Sequence, residues 1–114
     1  MRMRRLATAL AMTLVASVGA VTVAATPAQA GGYFRTLANL NLRTCQWLHL
    51  AVCQPIYTVI PNNTTIYLNC WATGTSVNGD TVWYNAFYGQ YSGMVTGWYM
   101  ATGHDPNPAV SRCV

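Results

Sequence analysis

The sequence predicts an all-β domain of about five short strands that is cross-linked by two disulfides. Three observations predict this fold class: short segments alternate apolar and polar residues, turn-forming residues separate these segments, and four cysteines follow an export signal. Several short strands at a spacing of about ten residues are typical of a small β-barrel or a β-sandwich. The 114 residues of the chain suffice for one domain, which excludes large enzyme scaffolds.

Residues 1–30 have the organisation of a secretory signal peptide. A basic start leads into an apolar run, and the run is followed by Ala28-Gln29-Ala30, a small-x-small cleavage motif. A transmembrane anchor is the alternative, but the run is rich in Ala, Thr and Ser and is therefore only weakly hydrophobic. We therefore expect cleavage after Ala30, secretion, and no stable membrane span after processing.

The mature chain is predicted to begin with a flexible segment over residues 31–36 and to fold over residues 37–114. All six basic residues of the sequence are Arg, and three of them lie within the first five residues. Three positive and two negative side chains remain in the mature chain, with a net charge of +1: Arg35, Arg43, Arg112, Asp80 and Asp105. Because nucleic-acid binding by counterion release needs many phosphate contacts, we expect no nucleic-acid partner.

Four cysteines lie in the mature chain: Cys45, Cys53, Cys70 and Cys113. An even number of cysteines in an exported chain predicts two disulfides. A zinc site needs close ligand pairs such as C-x2-C, whereas 7, 16 and 42 residues separate consecutive cysteines here, so we expect no metal and no other cofactor. Four cysteines allow three pairings. Sequence distance favours Cys45–Cys53, which closes a short loop, together with Cys70–Cys113, which holds the C-terminal tail.

The predicted strands are short, and turn residues separate them. They cover residues 40–42, 56–60, 65–71, 81–85 and 94–95, and residues 98–100 follow after a brief turn. Asn78-Gly79 predicts a tight hairpin between the third and fourth strands. Residues 87–93, which are rich in Gly, Tyr and Ser, predict another turn. Residues 103–108 predict an irregular tail because prolines cannot join a strand ladder.

Five motifs, in this order, resemble the bacterial SH3 family. Leu40-Asn41-Leu42-Arg43 is similar to the family's L-N-V-R opening, which ends the first strand and starts the long RT loop. Residues 56–64 resemble the second strand with its P-x-G-T turn, and residues 66–70 resemble the next strand. Residues 77–84 resemble the distal hairpin with its V-W-Y return, and residues 93–100 resemble the closing segment with its short 3-10 turn.

The resemblance covers about residues 37–103 and implies a small SH3-like β-barrel with a 3-10 turn. The cysteines and the tail resemble a secreted actinobacterial branch of the family, in which one disulfide lies in the RT loop and another clamps the tail. This agrees with the pairing that sequence distance favours. Thr44-Cys45-Gln46 replaces the family's usual Ser-Gly-Pro, so no ligand contact is carried over to that part of the loop. Members of the family typically bind the cell wall, often the peptidoglycan peptide or cross-bridge.

A secreted binding module with a shallow aromatic groove is the function that we predict, with peptidoglycan or another envelope component as its partner. The 4 Trp, 7 Tyr and 2 Phe all lie in the mature chain, and a core of this size cannot enclose them all. Aromatic rings give a large contact area with few rotors to immobilise, and an Arg fork pairs with a peptide carboxylate. The predicted ligand-binding residues are Arg43, Trp47, Tyr84, Tyr91 and Tyr99, and the alternative for Arg43 is that it only hydrogen-bonds loop carbonyls. We expect Trp83 and Trp98 in the core, and Tyr99 beneath the 3-10 turn with its hydroxyl in solvent.

An enzyme is the first competing hypothesis, and its candidate residues are His49, His104, Asp80 and Asp105. Nucleophilic catalysis needs three groups in hydrogen-bond reach of one another, and glycoside hydrolysis needs two carboxylates. His104 and Asp105 lie in a Pro-rich tail, and a carboxylate at the tip of a hairpin, Asp80, is not expected to meet Asp105. We therefore expect no enzymatic activity.

A secreted interaction, inhibitor or antimicrobial domain is the second competing hypothesis. It would present the Cys45–Cys53 loop to a secreted protein partner, because this loop is apolar for a loop and carries Trp47 and Leu48. The structural alternative is that Leu48 and Leu50 fold inward and cap the barrel.

Overall fold

The computed structural model describes residues 31–114, and the predicted signal peptide over residues 1–30, with its cleavage site at Ala30, lies outside the described residues. The all-β prediction is confirmed for this part of the chain, which contains six strands, two 3-10 turns and no α-helix. The strands are β1 (Gly32–Arg35), β2 (Leu40–Arg43), β3 (Ile56–Ile60), β4 (Thr65–Val77), β5 (Asp80–Tyr88) and β6 (Tyr91–Thr96). The two 3-10 turns are Ala51–Cys53 and Gly97–Tyr99.

The six strands form one antiparallel sheet in the order β1-β4-β5-β6-β2-β3, which curls into a half-barrel. Strands β1 and β3 are therefore the two edges. The core fills the inside of the curl and consists of Leu40, Leu42, Ile60, Ile66, Leu68, Val82, Tyr84, Ala86, Val95, Met100 and Val110. No helix within residues 31–114 is long and apolar enough to cross a membrane.

The hairpin between β4 and β5 forms at the predicted dipeptide. Asn78 and Gly79 have φ angles of 52° and 91°, and tight hairpin turns require positive φ at these positions. Strand β4 continues to Val77, further than predicted, because a register shift between Thr73 and Val77 lets the pairing with β5 resume beside the turn. Such a bulge bends the strand and increases its twist, which helps the sheet to curl.

Two local predictions are corrected by the structure. The segment predicted to be flexible contains β1, whose residue Tyr33 lies opposite Tyr67 of β4. The turn predicted over residues 87–93 is confined to Gly89-Gln90, since Tyr88 pairs with Tyr91 across the two strands that it joins. In both places aromatic side chains extend the ladder, and Gly89, at φ 59°, takes the positive φ that the turn demands.

Both predicted disulfides are present. Cys45–Cys53 closes the loop between β2 and β3, and Cys70–Cys113 joins β4 to the C-terminal tail. The tail also forms an isolated bridge between Trp71 and Arg112. No cysteine within residues 31–114 is left free. Two disulfides are consistent with an extracellular location.

Candidate functional site

A small cleft opens between β2, the β2–β3 loop and the second 3-10 turn. Its volume is about 180 Å³, and its lining includes Asn41, Arg43, Leu48, Trp83 and Tyr99. Two of the predicted ligand-binding residues, Arg43 and Tyr99, therefore lie in one cleft. Asn41 was not predicted to line the cleft. It lies between Leu40 and Leu42, which are both buried, and this alternation indicates that its side chain faces outward.

Arg43 keeps most of its guanidinium available for a ligand. The side chain is half-buried, and its Nη1 donates one long hydrogen bond, of 3.5 Å, to the carbonyl of Gln54. No carboxylate among residues 31–114 forms an ion pair with it. A guanidinium carries five N–H donors, so the cleft offers a positively charged fork beside the ring of Tyr99.

Trp83 is buried, as predicted, but it lines the cleft and is not part of the core cluster inside the curl. Its side chain is 2% exposed, and its indole Nε1 donates a 2.8 Å hydrogen bond to the carbonyl of Thr75. The indole donor is therefore already used. Trp83 contributes contact area to the cleft rather than a hydrogen bond.

The β2–β3 loop is fixed at the cleft by β4. The N–H of Leu48 donates to Oγ1 of Thr75 at 2.9 Å, and the N–H of Thr75 donates to the carbonyl of Gln46 at 3.0 Å. Gly74 is needed at this crossing, because a Cβ there would lie 2.5 Å from Trp83 and 2.7 Å from the Gln46 carbonyl. Leu48 lines the cleft and Leu50 is 41% exposed, so the two leucines do not fold inward together to cap the barrel.

The other three predicted ligand-binding residues do not line the cleft. Tyr84 is fully buried, because it faces the inside of the central strand β5, so its assignment to a surface groove is wrong. Tyr91 packs against the core and stacks on Tyr57 with ring centroids 5.7 Å apart. Trp47 lies on the β2–β3 loop, 37% exposed and edge-on to His49.

A larger, open concavity of about 810 Å³ lies between the β4–β5 turn and the C-terminal tail. Asp80 and Asp105 both line it, and Asp105 is close enough to raise the pKa of Asp80, so the prediction that these carboxyl groups would not meet is wrong. Trp98, predicted in the core, also lines this concavity and is 47% exposed. The second 3-10 turn directs Trp98 outward while Tyr99, the next residue, packs against the core.

The carboxyl pair forms because the tail is anchored from inside the sheet. Oδ1 of Asp105 accepts hydrogen bonds of 2.6 Å from the hydroxyls of Tyr84 and Thr102. Gly97 leaves room for the other oxygen, since a Cβ there would lie 2.7 Å from Oδ2 of Asp105. Asp80 reaches the same place from the hairpin, where its Oδ1 accepts from the N–H of Val82 at 2.9 Å.

Burial and the neighbouring Asp105 together raise the pKa of Asp80 to about 6, against the lowering effect of the Val82 N–H. Burial and the neighbouring Asp105 also hold the pKa of the Tyr84 hydroxyl well above its usual range. Two like charges therefore meet at neutral pH, which costs stability, and the tail is held in place instead by the hydrogen bonds of Asp105 with Tyr84 and Thr102.

His104 lines the same concavity as Asp80 and Asp105, whereas His49 lies on the β2–β3 loop beside Trp47. His49 and His104 are both exposed, and Nδ1 of His104 lies 2.9 Å from the carbonyl of Pro106. Within residues 31–114, no group of three His, Cys, Asp or Glu side chains could hold a metal ion.

Asp80→Asn is expected to stabilise the protein at neutral pH and to have no effect near pH 4. The raised pKa means that the folded state binds more protons than the unfolded state between the ordinary value of 3.8 and about 6. Stability therefore falls as pH rises through this window and stays lower above it. Because Asp80 is only half-buried, solvent screening reduces the effect to about 1 kcal/mol.

Urea denaturation of wild type and Asp80→Asn at about pH 4 and at about pH 7.5 measures this effect. The amide can still accept from Val82 and can donate to Asp105, so the variant keeps the geometry without the second charge. Equal stability of the two proteins at the higher pH would show that the two carboxyl groups do not repel each other in the folded state.

No family model matches this chain, and no curated protein matches it. The resemblance to the bacterial SH3 family therefore remains a prediction from the sequence motifs.

Proposed function

We propose that this protein is a secreted, non-catalytic binding module of the bacterial SH3 kind that recognises the peptide part of peptidoglycan. The observation that carries the proposal is the cleft in which Arg43, without a carboxylate partner among residues 31–114, lies beside Tyr99 and above the indole of Trp83. An Arg fork bonds both oxygens of a peptide carboxylate. Aromatic and aliphatic walls supply contact area at a low cost in side-chain entropy.

The size of the cleft favours part of an extended peptide over a whole small molecule. Its volume of about 180 Å³ lies below the range of about 300–1,000 Å³ that is typical of small-molecule sites. One or two short residues with a terminal or side-chain carboxylate would fill it. The net charge of the mature chain is small, so this contact depends on one positioned Arg and not on a basic surface.

Arg43→Ala is expected to weaken retention on purified peptidoglycan sacculi by about tenfold or more, because a charged hydrogen-bonding pair is lost. The measurement is co-sedimentation of the oxidised, processed protein at low and at moderate salt. Arg43→Lys keeps the charge but loses the fork, and it should retain less than half of the binding. Tyr99→Ala should weaken binding as well.

Arg112→Ala is the matched control for this experiment. It removes the same charge from an exposed side chain that stacks on Trp71, away from the cleft. Binding that survives moderate salt, falls with Arg43→Ala and persists with Arg112→Ala supports the proposal. Full recovery of the wild-type protein in the supernatant would refute it.

A second candidate function is a secreted interaction, inhibitor or antimicrobial domain that presents the Cys45–Cys53 loop to a protein. The observation that favours it is the exposure of three apolar side chains on this loop: Trp47 at 37%, Leu50 at 41% and Val52 at 70%. Exposed apolar clusters on a rigid scaffold often mark protein-binding surfaces. Val52→Ser should then abolish capture of a protein from culture fluid while leaving co-sedimentation with sacculi unchanged.

A further inference from the structure

An aromatic ladder crosses the outer face of the sheet, far along the strands from the cleft residues. Tyr33 of β1 lies opposite Tyr67 of β4, and Tyr67 lies opposite Phe87 of β5. The ring centroids are 5.1 Å apart for the first pair, which meets edge-on, and 5.9 Å apart for the second pair, which is stacked. We call these three residues the aromatic ladder.

The two ends of the aromatic ladder face solvent. Tyr33 is 73% exposed and Phe87 is 42% exposed, whereas their strand neighbours Phe34 and Ala86 face the core. A concavity of about 380 Å³ lies beside the rings, and Thr65 and Gly89 form part of its wall. Adjacent exposed rings on an open sheet face are a liability unless they have a partner.

A row of polar side chains runs beside the aromatic ladder on the same face. Nδ2 of Asn69 donates to Oδ1 of Asn85 at 3.3 Å, and Nδ2 of Asn85 donates to Oγ of Ser92 at 3.4 Å. Asn85 is two residues from Phe87 on β5, and Ser92 lies opposite Phe87, so both share its face. Oδ1 of Asn69 accepts no hydrogen bond from residues 31–114, so it is available to a donor on a ligand.

Neither row carries a charge. The concavity is lined by aromatic, aliphatic, hydroxyl and glycine residues only. Arg35 lies opposite Thr65 at the end of β1, and Arg43 lies opposite Met94, the partner of Asn85 on β6. An anionic or cationic ligand would find no counter-charge in the concavity. The chemistry instead fits a neutral chain with apolar C–H faces and many hydroxyl or amide groups, because rings cover the former and amides bond the latter.

We propose that the aromatic ladder and its amide row bind a neutral glycan chain of β-linked N-acetylhexosamines. The exposed rings of Tyr33 and Phe87, at the two ends of the aromatic ladder, supply contact area for the C–H faces of the sugars. The acetamido and hydroxyl groups of the chain then face Asn69, Asn85 and Ser92. This site shares no residue with the peptide cleft, so it stands whether or not the cleft binds a peptide.

The test is isothermal titration calorimetry of the oxidised, processed protein with the soluble N-acetylglucosamine hexamer. Tyr33→Ala and Phe87→Ala are each expected to weaken binding about fivefold to tenfold. Both side chains are exposed, and thermal denaturation should show that both variants remain folded. Because the ligand is neutral, the affinity should not change between low and high salt.

Two variants serve as controls. Tyr57→Ala removes a tyrosine that is 46% exposed on the other edge strand, β3, and is outside the aromatic ladder, so it should leave the affinity for the hexamer unchanged. Arg43→Ala should also leave it unchanged, although it weakens the proposed peptide contact.

Three results would overturn the proposal. The first is the absence of hexamer binding at millimolar concentration. The second is binding that Arg43→Ala abolishes and Tyr33→Ala does not alter, which would place the glycan in the cleft. The third is a dimer in solution that Tyr33→Ala dissociates and that does not bind the hexamer, which would make this face a contact between two copies of the chain.

Discussion

Replacing Cys70 and Cys113 together with Ser is expected to lower the free energy of unfolding by about 4 kcal/mol. The disulfide joins residues 43 positions apart, and cross-linking a loop of this length removes much conformational freedom from the unfolded chain. Small domains are stable by only about 5–15 kcal/mol. The variant is therefore expected to be close to unfolding at 37 °C, and urea denaturation of the oxidised protein gives the comparison.

The second disulfide provides the matched control, because it closes a much shorter loop. Cys45 and Cys53 are 8 positions apart, and the same entropy argument gives about 2.5 kcal/mol for replacing both with Ser. The order of the two effects tests the argument more sharply than either magnitude. Equal losses, or a smaller loss for the Cys70 pair, would mean that side-chain contacts already hold the tail in place.

Local signals in the sequence predicted much of the fold. Asn78-Gly79 specifies a turn with positive φ at both positions, and the alternation from Thr65 onward specifies which side of β4 is buried. Strand β1 carries no comparable signal. It has four residues, begins with Gly32, and is a strand only because the edge of β4 is available to pair with it. Pairing between distant segments is not encoded in either segment alone.

The candidate site was predicted only in part, for a related reason. Arg43 and Tyr99 belong to the motifs that open and close the domain, and both line the cleft. Tyr84 lies on the inner side of β5, and its hydroxyl contacts the C-terminal tail, which the sequence does not place there. The contact between Asp80 and Asp105 depends on the same docking of the tail. Periodicity identifies the two faces of a strand, but it does not show what later covers them.

Tyr84→Phe is expected to lower the free energy of unfolding by about 2–3 kcal/mol, although it removes a single oxygen. The side chain is fully buried. Its hydroxyl donates to Oδ1 of Asp105 at 2.6 Å and accepts from the N–H of Asn107 at 2.9 Å. The substitution leaves the ring packing intact and deprives a carboxyl group and a half-buried N–H of a partner, and such unsatisfied groups keep their full desolvation cost.

Tyr88→Phe is the control, since Tyr88 also packs against the core but its hydroxyl makes no hydrogen bond with residues 31–114. Its effect should stay within about 0.5 kcal/mol. A double-mutant cycle between Tyr84→Phe and Asp105→Asn isolates the contact between the two side chains, and a coupling of about 1 kcal/mol or more is expected. If the two single effects add without coupling, the hydroxyl of Tyr84 stabilises the fold through Asn107 alone, and Asp105 is held by Thr102.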